Sequence, residues 1–247
     1  MASERQALEV KSPWWGEHVH RYNYSLKHFI KKTDRVLDIA CGTGFGTDII
    51  AKHSENDVIG GDISDEAIEF CKNSLSRKNL SFHHMDGTKL PFEDGHFDAI
   101  TSFETIEHTT EFHKMISEFK RTTKKEGLII LSTPNFIINS PSGVVTNPFH
   151  TQEWNYDGFM ELLNKHFNKY ELFGQKYNRY SKKNVAYRLE NLLLQRGVRK
   201  MPLKWQNSIM KMAGQESVYP LEDDFEMVKD KKEILKCKTF YVVCWNE

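Results

Sequence analysis

The sequence predicts an α/β fold: a seven-stranded, mostly parallel sheet with helices on both faces and a helical insertion before the last strand. Three observations carry that expectation. Short apolar runs recur along the chain, each followed by a turn signal and then an amphipathic stretch. The run Val36-Leu37-Asp38-Ile39-Ala40 reads as a buried parallel strand and meets Gly42, Gly44 and Gly46 at once, with a helical pattern through Ile49, Ile50 and Ala51 behind them. Strand, glycine turn and helix in that order build a nucleotide-binding crevice at the carboxyl end of a sheet. The length of 247 residues suits one domain, 1–247, with a full core and one insertion.

Ser12-Pro13 places an N-cap before a proline at the first turn of a helix expected over 12–32, where Val19, Tyr22, Leu26 and Phe29 share one face. Val58-Ile59-Gly60-Gly61 is the second strand, ending at Asp62, with Ser64 capping the next helix. Leu80 to Met85 is the third, ending in Asp86-Gly87. Phe92 to His96 is a turn before the fourth strand, Phe97 to Phe103. A helix beginning at Glu104 would put Glu104, Glu107 and His108 on one face. Gly127 to Thr133 is the fifth strand. The stretch from Pro134 to Trp154, with three prolines, is long for a compact domain and so reads as functional. Asn155 caps a helix with Phe159, Leu162 and Leu163 inward, and Tyr170 to Phe173 and Thr239 to Cys244 are the last two strands. Between them, about 176–236, lies the insertion, with one amphipathic helix through Val185, Leu189, Leu192 and Leu193 and another through Trp205, Ile209 and Met212.

The glycine turn narrows the ligand. A dinucleotide fingerprint would want a third glycine where Thr47 stands. Asp38, inside the strand, would add nothing to a pyrophosphate site but suits a cofactor with an ammonium group and no phosphates, such as S-adenosylmethionine (SAM). Asp62 lies 24 positions further on, where such folds place a carboxylate that accepts from both ribose hydroxyls.

Val36 to Gly46 resembles the first motif of the class I SAM-dependent methyltransferases, and the similarity runs to about Gln175. The resemblance implies a Rossmann-like sheet and a cofactor site formed by Arg21, Asp38, Gly42, Gly44, Asp62, Ile63, Asp86, Gly87 and Phe103. In that family a helix before the first strand covers the methionine end of the cofactor, so Arg21 could pair with its carboxylate or simply be solvated; the acid at Asp86 would meet the adenine amino group. Trp-Gly-Glu-His at 15–18, Arg21-Tyr22, Ser102 to His108 and Asn147-Pro148-Phe149-His150 together are similar to small bacterial methyltransferases of surface-glycan and sugar biosynthesis.

Methyl transfer from a sulfonium is an in-line displacement that needs alignment and, for a hydroxyl acceptor, removal of a proton. His108 is the leading general-base candidate and His150 the reserve, each with a structural or capping role as its alternative. Glu104, Glu107 and His108 are also similar to a segment of the ubiquinone-biosynthesis O-methyltransferases that can hold a divalent cation; a metal-free site is the favoured reading. Ser102-Phe103-Glu104-Thr105 replaces the run that marks methylation of nucleic-acid amino groups.

Lys+Arg and Asp+Glu both total 34, so net charge gives no reason to invoke nucleic acid. No apolar run reaches a membrane span, no signal core is present, and Cys41, Cys71, Cys237 and Cys244 lack Cys-x-x-Cys spacing; a cytoplasmic location with reduced thiols is expected. From Lys176 to Lys211 ten Lys/Arg face one acid, and Glu216 to Glu233 carries seven acids against three lysines. These are two solvated faces or a lid over a phosphorylated acceptor. The expected protein is a methyltransferase acting on a hydroxyl or amine of a small molecule: a sugar, nucleotide sugar or other phosphorylated metabolite. Its rivals are an NAD(P)-dependent Rossmann oxidoreductase and a non-catalytic SAM-binding subunit.

Overall fold

The computed structural model describes residues 14–178, 203–212, 217 and 219–247. Helix α1 (Trp15–His28) precedes β1 (Val36–Ile39), α2 (Phe45–His53), β2 (Val58–Asp62), α3 (Asp65–Ser74), β3 (Leu80–His84) and β4 (Phe97–Phe103). A 3-10 turn (Ile106–His108), α4 (Phe112–Thr122), β5 (Thr123–Pro134), α5 (Phe136–Asn139) and α6 (Tyr156–His166) follow. Then come β6 (Tyr170–Tyr177), a helix at Leu203–Met212, β7 (Phe225–Val228), a short helix at Lys231–Ile234 and β8 (Thr239–Trp245).

The strands of the described residues form one sheet of eight, in the order β3-β2-β1-β4-β5-β8-β6-β7. The first five run parallel. β8 is antiparallel to β5 and to β6, and β7 is antiparallel to β6. Strand order reverses between β1 and β4, and the carboxyl ends of strands at such a reversal are where open α/β sheets bind ligands.

Both faces are covered, as a parallel sheet requires, so β1 is buried at every position. Alternation along the strands divides the core. Leu37, Ile39, Phe240 and Val242 pack toward α4 and α6 with Ile116, Phe119, Phe159 and Leu163. Val36, Tyr241 and Val243 pack toward α1 and α2 with Tyr22, Leu26 and Ile50. Ser64 accepts from the Ala67 amide at 3.3 Å and Asn155 from the Gly158 amide at 2.8 Å, the caps the sequence predicts.

Three expectations are corrected. The sheet has eight strands, because β7 adds an edge inside the region read as a helical insertion, pairing Gly174 through Tyr177 with Val228 through Phe225. The helix expected from Glu104 is absent: Glu104 takes a left-handed φ of 51° and only the 3-10 turn follows. β5 starts at Thr123, four residues early, with an irregular register against β4 between Phe97 and Ala99. The Ser12-Pro13 start, the helix through Val185 to Leu193, and the basic residues Arg196, Arg199 and Lys200 lie outside the described residues. Trp205, one of the three residues that define the second amphipathic helix of the insertion, is 64% exposed. All four cysteines are buried and none forms a disulfide. Among the described residues no helix is long and apolar enough to cross a membrane.

Candidate functional site

The strand ends at the reversal are locally strained. Among the described residues three non-glycines have positive φ, and two of them, Ala40 and Glu104, follow β1 and β4. Such conformations persist where the surroundings over-determine them, and they concentrate at ligand sites.

After Ala40, Gly42 (φ 56°) and Gly44 (φ 74°) carry the chain round in the left-handed region that glycine enters without penalty. The Gly42 amide donates to Asp62 Oδ2 at 2.9 Å, and the Ser64 amide donates to Oδ1 at 2.9 Å. Asp62 thereby ties the glycine turn to the end of β2, and each carboxylate oxygen has lone-pair capacity for a further donor. Beside it Ile63 is 68% exposed, an apolar side chain held out at the crevice. Asp86 closes a turn by accepting from the Thr88 amide (2.8 Å) and hydroxyl (2.9 Å), and is itself exposed. Gly87 is buried, and a Cβ there would come within 3.0 Å of the end of the Met115 side chain.

Arg21, Asp38 and Phe103 lie one layer deeper. Asp38 accepts from the hydroxyls of Thr47 (2.7 Å), Thr101 (2.7 Å) and Tyr22 (3.2 Å). Burial pushes its carboxyl up to about 6, with those hydrogen bonds opposing the shift. Tyr22 reaches Asp38 because Gly46 has no Cβ; one would overlap the tyrosine ring. Phe103 stacks edge-on to Tyr22 at 4.9 Å between ring centroids. Arg21, 1% exposed, donates to Glu104 Oε1 at 2.6 Å and lies 3.8 Å from Glu17. Its charge is thus balanced inside the protein, not left solvated.

A second group meets the crevice from the β4 side. Glu107 is fully buried; its Oε2 accepts from Thr133 Oγ1 at 3.0 Å, while Oε1 has no hydrogen-bond partner. Burial and the neighbouring Glu104 charge hold its carboxyl well above the usual range, favouring the neutral acid. The 140–153 stretch folds over this turn. The Thr151 amide donates to the Glu107 carbonyl at 2.8 Å, and Gln152 Nε2 donates to the carbonyls of Ile106 (2.9 Å) and Thr109 (2.8 Å). His108 Nδ1 lies 3.0 Å from the Phe149 carbonyl, and the His108 and His150 rings meet edge to face at 4.8 Å.

The structure therefore brings Glu107, His108 and His150 together, one ligating atom of each within 4.8 Å of the others. Glu104 leaves the set proposed from sequence, because Arg21 and the Ser132 hydroxyl hold its Oε1. His150 replaces it. One carboxylate and two imidazoles could take a divalent cation, though the acid would first have to lose its proton. Sequence reasoning missed Glu153, whose Oε1 lies 2.7 Å from His150 Nδ1; the His-x-x-Glu spacing was the available signal.

Residues 37–131 match the methyltransferase domain family. The match takes in the glycine turn, Asp62, Asp86 and the Glu107–His108 turn, and stops short of His150. A probable S-adenosylmethionine-dependent methyltransferase of Mycobacterium tuberculosis is 30% identical over 157 residues, covering 63% of this chain and 56% of that one. The chain thus spans a little over half the length of this relative. A chain of the complex between the Haloferax volcanii Trm112 methyltransferase activator and a methyltransferase superposes with a TM-score of 0.63 at 15% identity, over 94% of this chain and 92% of that one. The [4+2]-cyclase SpnF superposes at 0.59 with 15% identity, covering 98% and 87%. Likeness at that identity establishes the fold and leaves the reaction open. The sequence matches support an enzyme that uses S-adenosylmethionine.

Proposed function

We propose that the protein transfers a methyl group from SAM to a hydroxyl or amine of a small-molecule acceptor, and that the acceptor is a sugar, nucleotide sugar or other phosphorylated metabolite. The observation that carries the reading is the Gly42–Asp62 lock at the strand reversal, with Ile63 exposed beside it. It offers a carboxylate for ribose hydroxyls and an apolar face for adenine. Asp38, Arg21 and Phe103 form the layer that shapes the methionine end. Thr47, where a dinucleotide site would need glycine, is engaged with Asp38.

When bound, SAM supplies an electrophilic methyl on a sulfonium. The chain's part is to hold the acceptor in line, exclude water and take up the proton, with His108 the leading candidate for the base and His150 the reserve. The phosphorylated acceptor is supported by the basic stretch from Lys176 to Lys211, and the sugar by the sequence resemblance. Calorimetry with S-adenosylhomocysteine and NADH is the direct test. Binding of the former and none of the latter is expected; tight NADH binding alone would establish the oxidoreductase instead.

A further inference from the structure

We infer that the rim formed by residues 134–149 and 231–238 docks the protein on an anionic lipid surface. In a chain of which 28% is charged, Pro134 to Phe149 carries no Asp, Glu, Lys or Arg. That run holds large apolar side chains out to solvent: Ile137 is 55% exposed, Val144 69% and Phe149 53%. It does so as a built segment. The Gly143 amide donates to the Ser140 carbonyl at 3.0 Å, the Ser140 hydroxyl to Glu153 Oε2 at 2.8 Å, and the Phe149 amide to Asn147 Oδ1 at 3.0 Å. At the tip Gly143 has a φ of 78°. Among the described residues, nothing beyond its chain neighbours lies within 4 Å of where a side chain would start there. Apolar side chains that a hydrogen-bonded loop keeps in water mark a surface that is covered in use.

The neighbouring segment decides what covers it. Asn135 Nδ2 donates to the Cys237 carbonyl at 2.9 Å and Asn139 Nδ2 to the Lys238 carbonyl at 2.6 Å, so 235–238 lies against the start of the run. From Lys231 to Lys238 there are four lysines and one acid, Glu233, which Lys176 and Lys236 each hold at 2.8 Å. The other acids at this edge are Asp157, 3.7 Å from Lys231, and Asp230, which caps the amides of Lys232 and Glu233. The edge keeps an excess of positive charge. Lys232 and Lys238 are exposed, the second over the Trp14 ring at 5.9 Å, with Trp14 52% and Leu235 41% exposed beside them. The core of a protein interface is poor in lysine. A fringe of lysine and tryptophan around aliphatic side chains suits the headgroup layer instead. There the ammonium ends stay among the phosphates while the apolar groups pass below them. Only the charge-free run would enter the acyl boundary, so no ion has to be desolvated.

The inference stands apart from the methyltransferase reading, since no catalytic step enters it. Flotation of the full chain with vesicles of phosphatidylglycerol and phosphatidylcholine tests it, with pure phosphatidylcholine as the reference. Binding to the anionic vesicles should exceed binding to the neutral ones by about tenfold, and the difference should shrink as salt is raised. Ile137→Ser combined with Val144→Ser changes two exposed side chains and should weaken binding by about tenfold at native melting temperature. Lys232→Gln combined with Lys238→Gln should weaken it by about fivefold per lysine. In Val144→Trp the fluorescence should shift to the blue on adding vesicles, and lipids brominated in the acyl chain should quench it more than they quench the native protein. Failure to bind anionic vesicles overturns the proposal. So does native binding by the serine variant, or a Val144→Trp protein with no added quenching. A native dimer that the serine variant abolishes in light scattering would give the run to a second copy of the chain, and overturns it equally.

Discussion

The two walls of the crevice are built in different ways. On the β1–β2 side the contacts are short in sequence and largely backbone: Asp62 reaches back 20 residues to the Gly42 amide and forward two to Ser64. On the β4 side the contacts are long and made by side chains. His108 meets Phe149 across 41 residues, Gln152 meets Ile106 across 46, and Arg21 meets Glu104 across 83. A cofactor cradle can be encoded locally, because strand, glycine turn and helix fix the amide directions by themselves. The wall proposed for the acceptor takes shape only when distant segments close on one another, so its residue pattern is free to differ between proteins sharing the cradle.

The largest expected effect lies where the two constructions meet, at Asp38, which gathers hydroxyls from α1, α2 and β4. Its folded pKa is raised, so the stability it contributes is fully present below the unfolded value and is lost as pH rises through the folded value of about 6. A shift of that size corresponds to roughly 3 kcal/mol across the window from about pH 4 to 6. Asp38→Asn removes the titration. The stability of this variant relative to native, measured by urea unfolding, should improve by about that much between pH 4 and pH 7. An unchanged difference would mean that Asp38 is not desolvated and that the two walls are not joined through it.

Next in size is the cradle itself. Asp62→Ala removes the acceptor proposed for the ribose and the tether of the glycine turn, so SAM affinity should fall by about 1.5–3 kcal/mol, as for a charge-assisted hydrogen bond. Calorimetry at matched folded fractions measures it. Native affinity would show that the Gly42 tether is structural and that ribose recognition lies elsewhere.

How much of this was legible in the sequence follows the same division. The turn glycines, Asp62 and the caps at Ser64 and Asn155 announce themselves through spacing, because their partners are within a few residues or one strand away. The failed helix at Glu104 shows the opposite case. Glu104, Glu107 and His108 have helical spacing, but the chain turns left-handed at Glu104, whose carboxylate is held by an arginine from α1 and a hydroxyl from β5. Nothing local signals that capture. The unforeseen β7 has the same origin: Phe225-Glu226-Met227-Val228 is a weak strand pattern, and β6 supplies its pairing.

The smallest effect tests the acceptor wall alone. Gln152 Nε2 donates to the carbonyls of Ile106 and Thr109, so one side chain stitches the 147–153 segment to the turn that carries Glu107 and His108. Gln152→Ala removes both donors. Neutral hydrogen bonds of this kind contribute about 1 kcal/mol each, and Gln152 is only half-buried, so water should restore part of the loss. Global stability should therefore drop by about 1 kcal/mol, with SAM affinity unchanged because no cradle contact is touched. What should change is order in the wall: amide hydrogen exchange at Thr151, whose N–H donates to the Glu107 carbonyl, should speed up while exchange at Gly42 stays native. Equal acceleration at both amides would mean that the walls open as one cooperative unit, and the contrast between local and long-range construction would then hold for the sequence but not for the energetics.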